Sequence, residues 1–324
     1  MYEPQPDRDS KAFHGGSTER IVRLGAACRV NPVNSSRVER GEPIRIYMLG
    51  RFSVAITGQP ISLDGNGNSS GKTKKRPLAL LKALIAFGGR GVAYTQLSES
   101  LWPDSDGDLG VRNLTVTLHR LRQLLRAHAS ILQHDGKLTL NERLCWVDLW
   151  DFERSVNEGL RRLNESADDD GAERYLHAAL RLYCGHFLSR ESDESWMLTP
   201  RLRLKTKFER LVAALSLHLE NRGRFADAID LCLQALERDP LNELVYRRVM
   251  CCYLKSGEFA SVLRIYARCR EALAHGLATP PSAETEHIYH ESLRAAAALG
   301  AAQALRRAPL SADGRGLATK NVLS

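Results

Sequence analysis

The sequence predicts a mainly α chain in two parts, an α+β region followed by an all-α array of paired helices. Three observations predict it. Strand-like runs rich in β-branched and aromatic residues occur at 44–63 and 130–148. Apolar residues recur at helical spacing between 75 and 126 and again from Asp151 to about 299. Within the second stretch, Leu219-x3-Gly223-x-Phe225 returns as Tyr253-x3-Gly257-x-Phe259, displaced by 34 residues, the period of a tetratricopeptide array.

The first strands lie in IRIYMLGRFSVAI (44–56) and PISL (60–63), with turns at Gly50-Arg51 and Gly58. A Gly, Asn, Ser and Lys rich loop, 64–74, follows. Its GNGNSSGKT resembles a phosphate-binding loop, but Gly67 and Gly71 stand too close for G-x-x-x-x-G-K-[ST]. A first helix is expected over 75–89, with Pro77 near its first turn and Gly88-Gly89 at its end. Thr95 is expected to cap a second helix that Pro103 ends, and a third runs from about Leu109 to Arg126. SILQHDGKLTL and LCWVD (130–148) alternate, and Asp135-Gly136 between strand-like runs signals a hairpin. Strands, three helices and a hairpin in that order make a winged helix-turn-helix. The repeat region should hold at least three units, because each leaves an apolar face for a neighbour to cover. Segments 168–188, 194–222 and 282–298 are expected to supply the others. The expected layout is a disordered tail over 1–43, the winged helix over 44–148, the repeat domain over 149–299 and a disordered tail over 300–324.

Composition narrows the function. The 324 residues carry a net charge of +8, which suggests a polyanionic partner. No run reaches the roughly 18 apolar residues of a spanning helix, and MYEPQPDRDSKAF has no signal-peptide core, so a cytoplasmic protein is expected. The seven cysteines form no C-x-x-C pair and read as buried reduced thiols. The ten histidines show no metal-site spacing, so neither metal nor cofactor is expected.

The third helix carries the sharpest signal. Leu114, Leu118, Leu121 and Leu125 form one stripe, expected to pack against the first helix. Arg112, Thr115, Val116, His119 and Gln123 fall on or beside the opposite face, and no acid lies between Leu109 and Arg126. Arg matches guanine, Gln matches adenine and a small apolar group matches a thymine methyl, so these five are the candidate base-reading residues. Arg126 is a candidate for phosphate contacts, and Arg120 and Arg122 for phosphate or structural ones. Lys72, Lys74, Lys75 and Arg76 are also phosphate candidates, at the start of the first helix, where a helix N-terminus also attracts anions. His134 and Lys137 are the candidates at the hairpin tip.

These residues resemble a known family. LGRFSVAITGQPISL, KKRPLALLKALIAFGG, TQLSESLWPD, RNLTVTLHRLRQLL and WVDLWDFE are similar to the winged helix of the Streptomyces antibiotic regulatory proteins. LYCGHFLSRESDESW, DPLNELVYRRVMCCYLKSGEFASVLRIYARCREAL and PPSAETEHIY resemble the bacterial transcriptional activator domain that follows it. The resemblance covers about 44–295. It implies an OmpR-like winged helix on direct repeats of double-stranded DNA, a helical domain for dimerisation or regulation, and activation through RNA polymerase. It makes 112–126 the recognition segment. It gives Trp102 the closing of the turn between helices and Asn113 the start of the third helix. The departures are the long 64–74 loop, the tail 1–43, two extra residues at Ala278–Pro281, and no ATPase module, which implies the short form of the family.

Two rivals compete. One is a tetratricopeptide scaffold whose winged helix binds no DNA; acids on the exposed helix face would favour it. The other is an enzyme, for which Glu191, Asp193 and Glu194 could cluster, but no His or nucleophile accompanies them, so a solvated charge run is expected.

Overall fold

The structure is a computed structural model that describes residues 43–61, 70–166 and 169–307, without the side chains of 70–74 and 300–307. The tail expected over 1–43, all but its last residue, and most of the loop 64–74 lie outside the described residues, as does the tail from 308 on. The described part is mainly helical, with two small sheets in its first half. It divides into two compact units. One runs to Leu211 and includes Glu237–Asp239; the other holds Val212–Leu236 and the chain from Pro240.

In the first unit, β1 (Ile44–Tyr47), β2 (Ser53–Ile56), β3 (Gln59–Pro60) and β7 (Cys145–Val147) form a sheet in the order β3-β2-β1-β7. Alternation along β1 buries Ile44 and Ile46. LCWV, read above together with the hairpin run, instead pairs in parallel with β1, Ile44 opposite Cys145. Helix α1 (Ser70–Ala86) begins five residues earlier than expected, so Pro77 sits inside it. It ends at the expected glycines: Gly88 and Gly89 have φ of 104° and 74° and donate to Ile85 and Leu84. Leu80, Leu81, Ala83, Leu84 and Ile85 are all fully buried, so α1 is covered on more than one side.

After β4 (Val92–Ala93) comes α2 (Tyr94–Leu101). Thr95 is not its cap: the N-cap is Ala93, which makes no side-chain bond. The Tyr94 amide donates instead to the carbonyl of Gly136, at 2.9 Å. Helix α3 (Gly107–Leu124) packs against α1 and α2, with Leu114, Leu118, Leu121 and the following Leu125 buried as the stripe requires. β5 (Ile131–His134) and β6 (Lys137–Leu140) are the expected hairpin. Asp135 and Gly136 have φ of 47° and 67°, the doubly left-handed turn that suits twisted strands.

Helix α4 (Asp148–Glu165) packs against α5 (Asp170–Leu182). A Cβ at Gly159 would come within 2.6 Å of Leu176, so the close approach needs glycine. Tyr183 is buried between Phe208, stacked at 4.0 Å, and Phe152. A short 3-10 turn (Ser195–Met197) leads into α6 (Leu198–Asn221).

The second unit contains the end of α6, then α7 (Phe225–Arg238), α8 (Glu243–Lys255), α9 (Phe259–Leu277) and α10 (Ala283–Arg307). The repeat seen in the sequence is a repeat of cap geometry. Gly223 and Gly257 have φ of 71° and 77°, and the next amides, of Arg224 and Glu258, donate to Leu219 and Tyr253 at 2.9 Å each. These are tetratricopeptide-like helix pairs. At the 278–282 turn, Glu243 accepts from the Ser282 amide and hydroxyl (2.7 Å each) and from Thr285 (2.5 Å).

Candidate nucleic-acid interface

Helix α3 presents two faces because it is packed on one side only. Its leucine stripe is covered, and Arg112, Thr115, Val116, His119, Arg120 and Gln123 are exposed, as is Arg126 just past its end. Among the described residues, Arg112, Arg120 and Arg126 have no carboxylate partner, nor do the exposed Lys75 and Lys137. Val116 is 52% exposed, so its methyl groups are accessible on this face. The Thr115 hydroxyl donates to the Val111 carbonyl at 3.0 Å, so its oxygen can still accept a hydrogen bond. Gln123 Nε2 lies 3.0 Å from His119 Nε2, so the two sit as one polar pair a helical turn apart.

Other candidates have different surroundings. Arg122 is half-buried; its guanidinium donates to the Ile131 carbonyl at 2.8 Å and ties α3 to β5. A side chain held there serves as a strut between the two elements. Arg76 likewise donates to the Leu101 carbonyl at 2.8 Å and lies over the Trp102 ring, 5.7 Å from its centroid, which holds the end of α2 to α1. Trp102 is the C-cap of α2, its amide donating to Ser98 and its carbonyl accepting from Ser105. Lys72 and Lys74 fall in the first turns of α1, with side chains outside the described residues. His134 and Lys137 are exposed on the hairpin, and His134 lies 2.9 Å from Asp135.

Asn113 does not start α3. The helix begins almost two turns earlier, where Asp106 accepts from the Gly107 amide at 2.9 Å. The earlier start also places Asp108 in the first turn. With Asp104 and Asp106 it gives an exposed acidic edge, beside Leu109 and Val111, which are 52% and 36% exposed. The third helix is thus basic and polar along its length and acidic at its start.

The acids at 191–194 are not simply a solvated run. Glu191 pairs with Lys82 at 2.8 Å, and Asp193 pairs with Arg201. A residue that sequence reasoning missed altogether is Asp148. It is 2% exposed, and its carboxylate accepts from the amides of Met48 (2.9 Å), Leu49 (3.0 Å) and Leu149 (2.7 Å). Burial pushes this carboxyl up to about 7, and the amides pull the other way. The available signal was an acid set between apolar residues in CWVDLW. Among the described residues no group of His, Cys, Asp and Glu could hold a metal, and no helix is long and apolar enough to cross a membrane.

Comparison with known proteins bears on this arrangement. Residues 147–294 match the family described as bacterial transcriptional activator domain. The chain is similar to regulatory protein DnrI of Streptomyces peucetius, 23% identical over 250 residues that cover 73% of this chain and 90% of that one. It is similar to regulatory protein AfsR of Streptomyces griseus, 26% identical over 228 residues, 70% of this chain but 23% of that one. Among solved structures, Mycobacterium tuberculosis EmbR, in complex with a low affinity phosphopeptide, aligns with a TM-score of 0.57 at 19% identity, over 82% of this chain and 71% of that one. At that identity the likeness is one of fold.

Proposed function

We propose, for a chain that belongs to the Streptomyces antibiotic regulatory protein type of transcriptional activator, that α2 and α3 are the helix-turn-helix and β5–β6 the wing of a sequence-specific DNA-binding domain. The observation that carries this reading is the exposed face of α3, where Arg112, Thr115, Val116, His119 and Gln123 stand without acids and where Arg112, Arg120 and Arg126 have no carboxylate partner among the described residues. A helix fits the major groove of B-DNA, and this set offers the donors, acceptors and methyl groups that distinguish base pairs. Arg120, Arg126, Lys75 and Lys137 surround it as phosphate contacts, and the hairpin tip with His134 meets backbone or minor groove.

Two such chains bind as a homodimer on direct repeats of double-stranded DNA, and the bound protein contacts RNA polymerase. The acidic edge at Asp104, Asp106 and Asp108, with exposed Leu109 and Val111, supports the second statement: it would be repelled by phosphate and is available to a protein. No catalytic step is assigned, and the protein acts by binding, without a cofactor.

The test is a fluorescence-anisotropy titration on promoter fragments and random duplexes at two salt concentrations. Discrimination between the two that is lost in Arg112→Ala/His119→Ala supports the reading. Equal affinity for promoter and random DNA at both salt concentrations overturns it and leaves a protein-interaction array.

A further inference from the structure

Helix α1 separates α3 from a part of the activator domain. On one side it packs against α3, and on another against the 3-10 turn at Ser195–Met197. This explains why its core positions are buried nearly all round. A helix apolar on several faces is stable in water only if each is covered. Residues 44–147 supply one cover and residues after 148 the other.

The contacts of the second cover are specific. Segment 186–189 runs against 48–50 through an isolated antiparallel bridge: Gly50 donates to His186 (3.0 Å), Leu188 to Met48 (2.9 Å) and Ser189 to Gly50 (3.1 Å), with Leu49 bridged to Phe187. Asp148 holds the Met48 and Leu49 amides from the other end of the segment. Leu188 is kept at φ 49°, a conformation branched side chains rarely adopt unless their surroundings impose it. Arg201 fastens the loop by donating to the carbonyls of Phe187 (3.0 Å) and Leu188 (3.1 Å). Two residues beyond that segment, Glu191 reaches Lys82 on α1. Lys82 is 8% exposed, and its ammonium lies 4.3 Å from the centroid of the Phe52 ring. A lysine so buried needs an anion, and among the described residues Glu191 is the one paired with it.

We infer that residues 148–201 are the second half of the DNA-reading unit, and that the Lys82–Glu191 pair is the positioning contact through which they hold α1, and with it α3, in register for base reading. The inference rests on the DNA-binding reading above. It makes the repeat region's first helices part of the reading device, so that anything that moves the 186–191 segment changes DNA affinity through α1.

The experiment uses the full chain in three forms: wild type, Glu191→Ala, and Lys82→Met/Glu191→Ala. The single variant leaves a buried ammonium unpaired and lowers stability. The double variant removes that ammonium while keeping most of the side-chain stem, so stability recovers. If the pair positions α3, promoter affinity in the double variant stays roughly 2- to 30-fold below wild type at matched melting temperature, with random-DNA affinity unchanged. Hydrogen exchange then quickens at α1 and α3 amides as well as at 186–191. Promoter affinity that recovers together with stability, with exchange altered only at 186–191, overturns the inference and leaves DNA reading intact. Should wild type show no discrimination, the DNA reading falls instead. The exchange pattern, which needs no DNA, still decides whether the pair holds α1 and α3.

Discussion

Two sets of positive side chains in this molecule differ in what faces them. In the second unit Glu220, its side chain 6% exposed, receives Arg248 at 2.6 Å and Lys255 at 2.8 Å. Burial alone would raise the Glu220 carboxyl, but Lys255 and Arg248 outweigh it and hold it below its ordinary value. On α3 and just past its end, Arg112, Arg120 and Arg126 carry the same sign of charge and face no acid among the described residues. The first set spends its charge inside the fold, and the second keeps it for something outside. The +8 net charge therefore says less than the pairing does, because a paired cation is scaffold and an unpaired row on one helix is a surface awaiting an anion.

The largest effect should come from breaking the paired set. Glu220→Ala strips the largely buried Arg248 of its carboxylate, while the half-exposed Lys255 keeps its water, and should cost about 3 kcal/mol of stability in urea titrations. DNA discrimination by the folded fraction should not change. Next is the pH limb of the same site. A carboxyl whose folded value is lowered stabilises the fold at neutral pH, and that contribution erodes as pH falls below about 4.3, the unfolded value, and through the folded one. Melting curves from pH 7 to pH 3 should show this loss, and Glu220→Gln should flatten it. An unchanged limb in that variant would remove Glu220 from the paired set.

Smaller effects belong to the unpaired set. Arg112→Ala and His119→Ala should each cost about 1–3 kcal/mol of promoter binding and much less on random duplex, with melting temperature unchanged. A drop in melting temperature would place them with the scaffold instead. The smallest is Lys75→Ala, which should weaken all sequences alike and reduce the salt slope by about 1. Lost discrimination at an unchanged slope would contradict its role as a phosphate contact.

What was legible in the sequence was whatever depends on near neighbours along the chain. The leucine stripe on α3 was legible because helical period alone puts Leu114, Leu118 and Leu121 on one side. The Asp135-Gly136 turn and the Gly223 and Gly257 caps were legible because left-handed backbone calls for particular residues on the spot. Other positions take partners that the local pattern does not name. Thr95 was expected to cap α2, but the acceptor came from Gly136, across the hairpin. Arg76 and Arg122 were grouped by charge with the candidate phosphate contacts, and charge alone does not announce that they also donate to the carbonyls of Leu101 and Ile131. Asn113 was given the start of α3 from family resemblance, and Asp106 holds it.

By itself, then, the sequence determined the mainly helical class, the order of strands, helices and hairpin, the 34-residue repeat and the polar face of α3. Each of these is a periodicity or a local backbone demand, and local energies are written in adjacent residues. Only tertiary structure decided which cations remain free, that Cys145–Val147 joins β1, and that Asp148 and Glu191 bind the first strands and α1 to the activator domain. Those outcomes rest on burial and pairing between residues tens of positions apart. A charge's role depends on its surroundings once folded, and no reading of its neighbours in the chain supplies them.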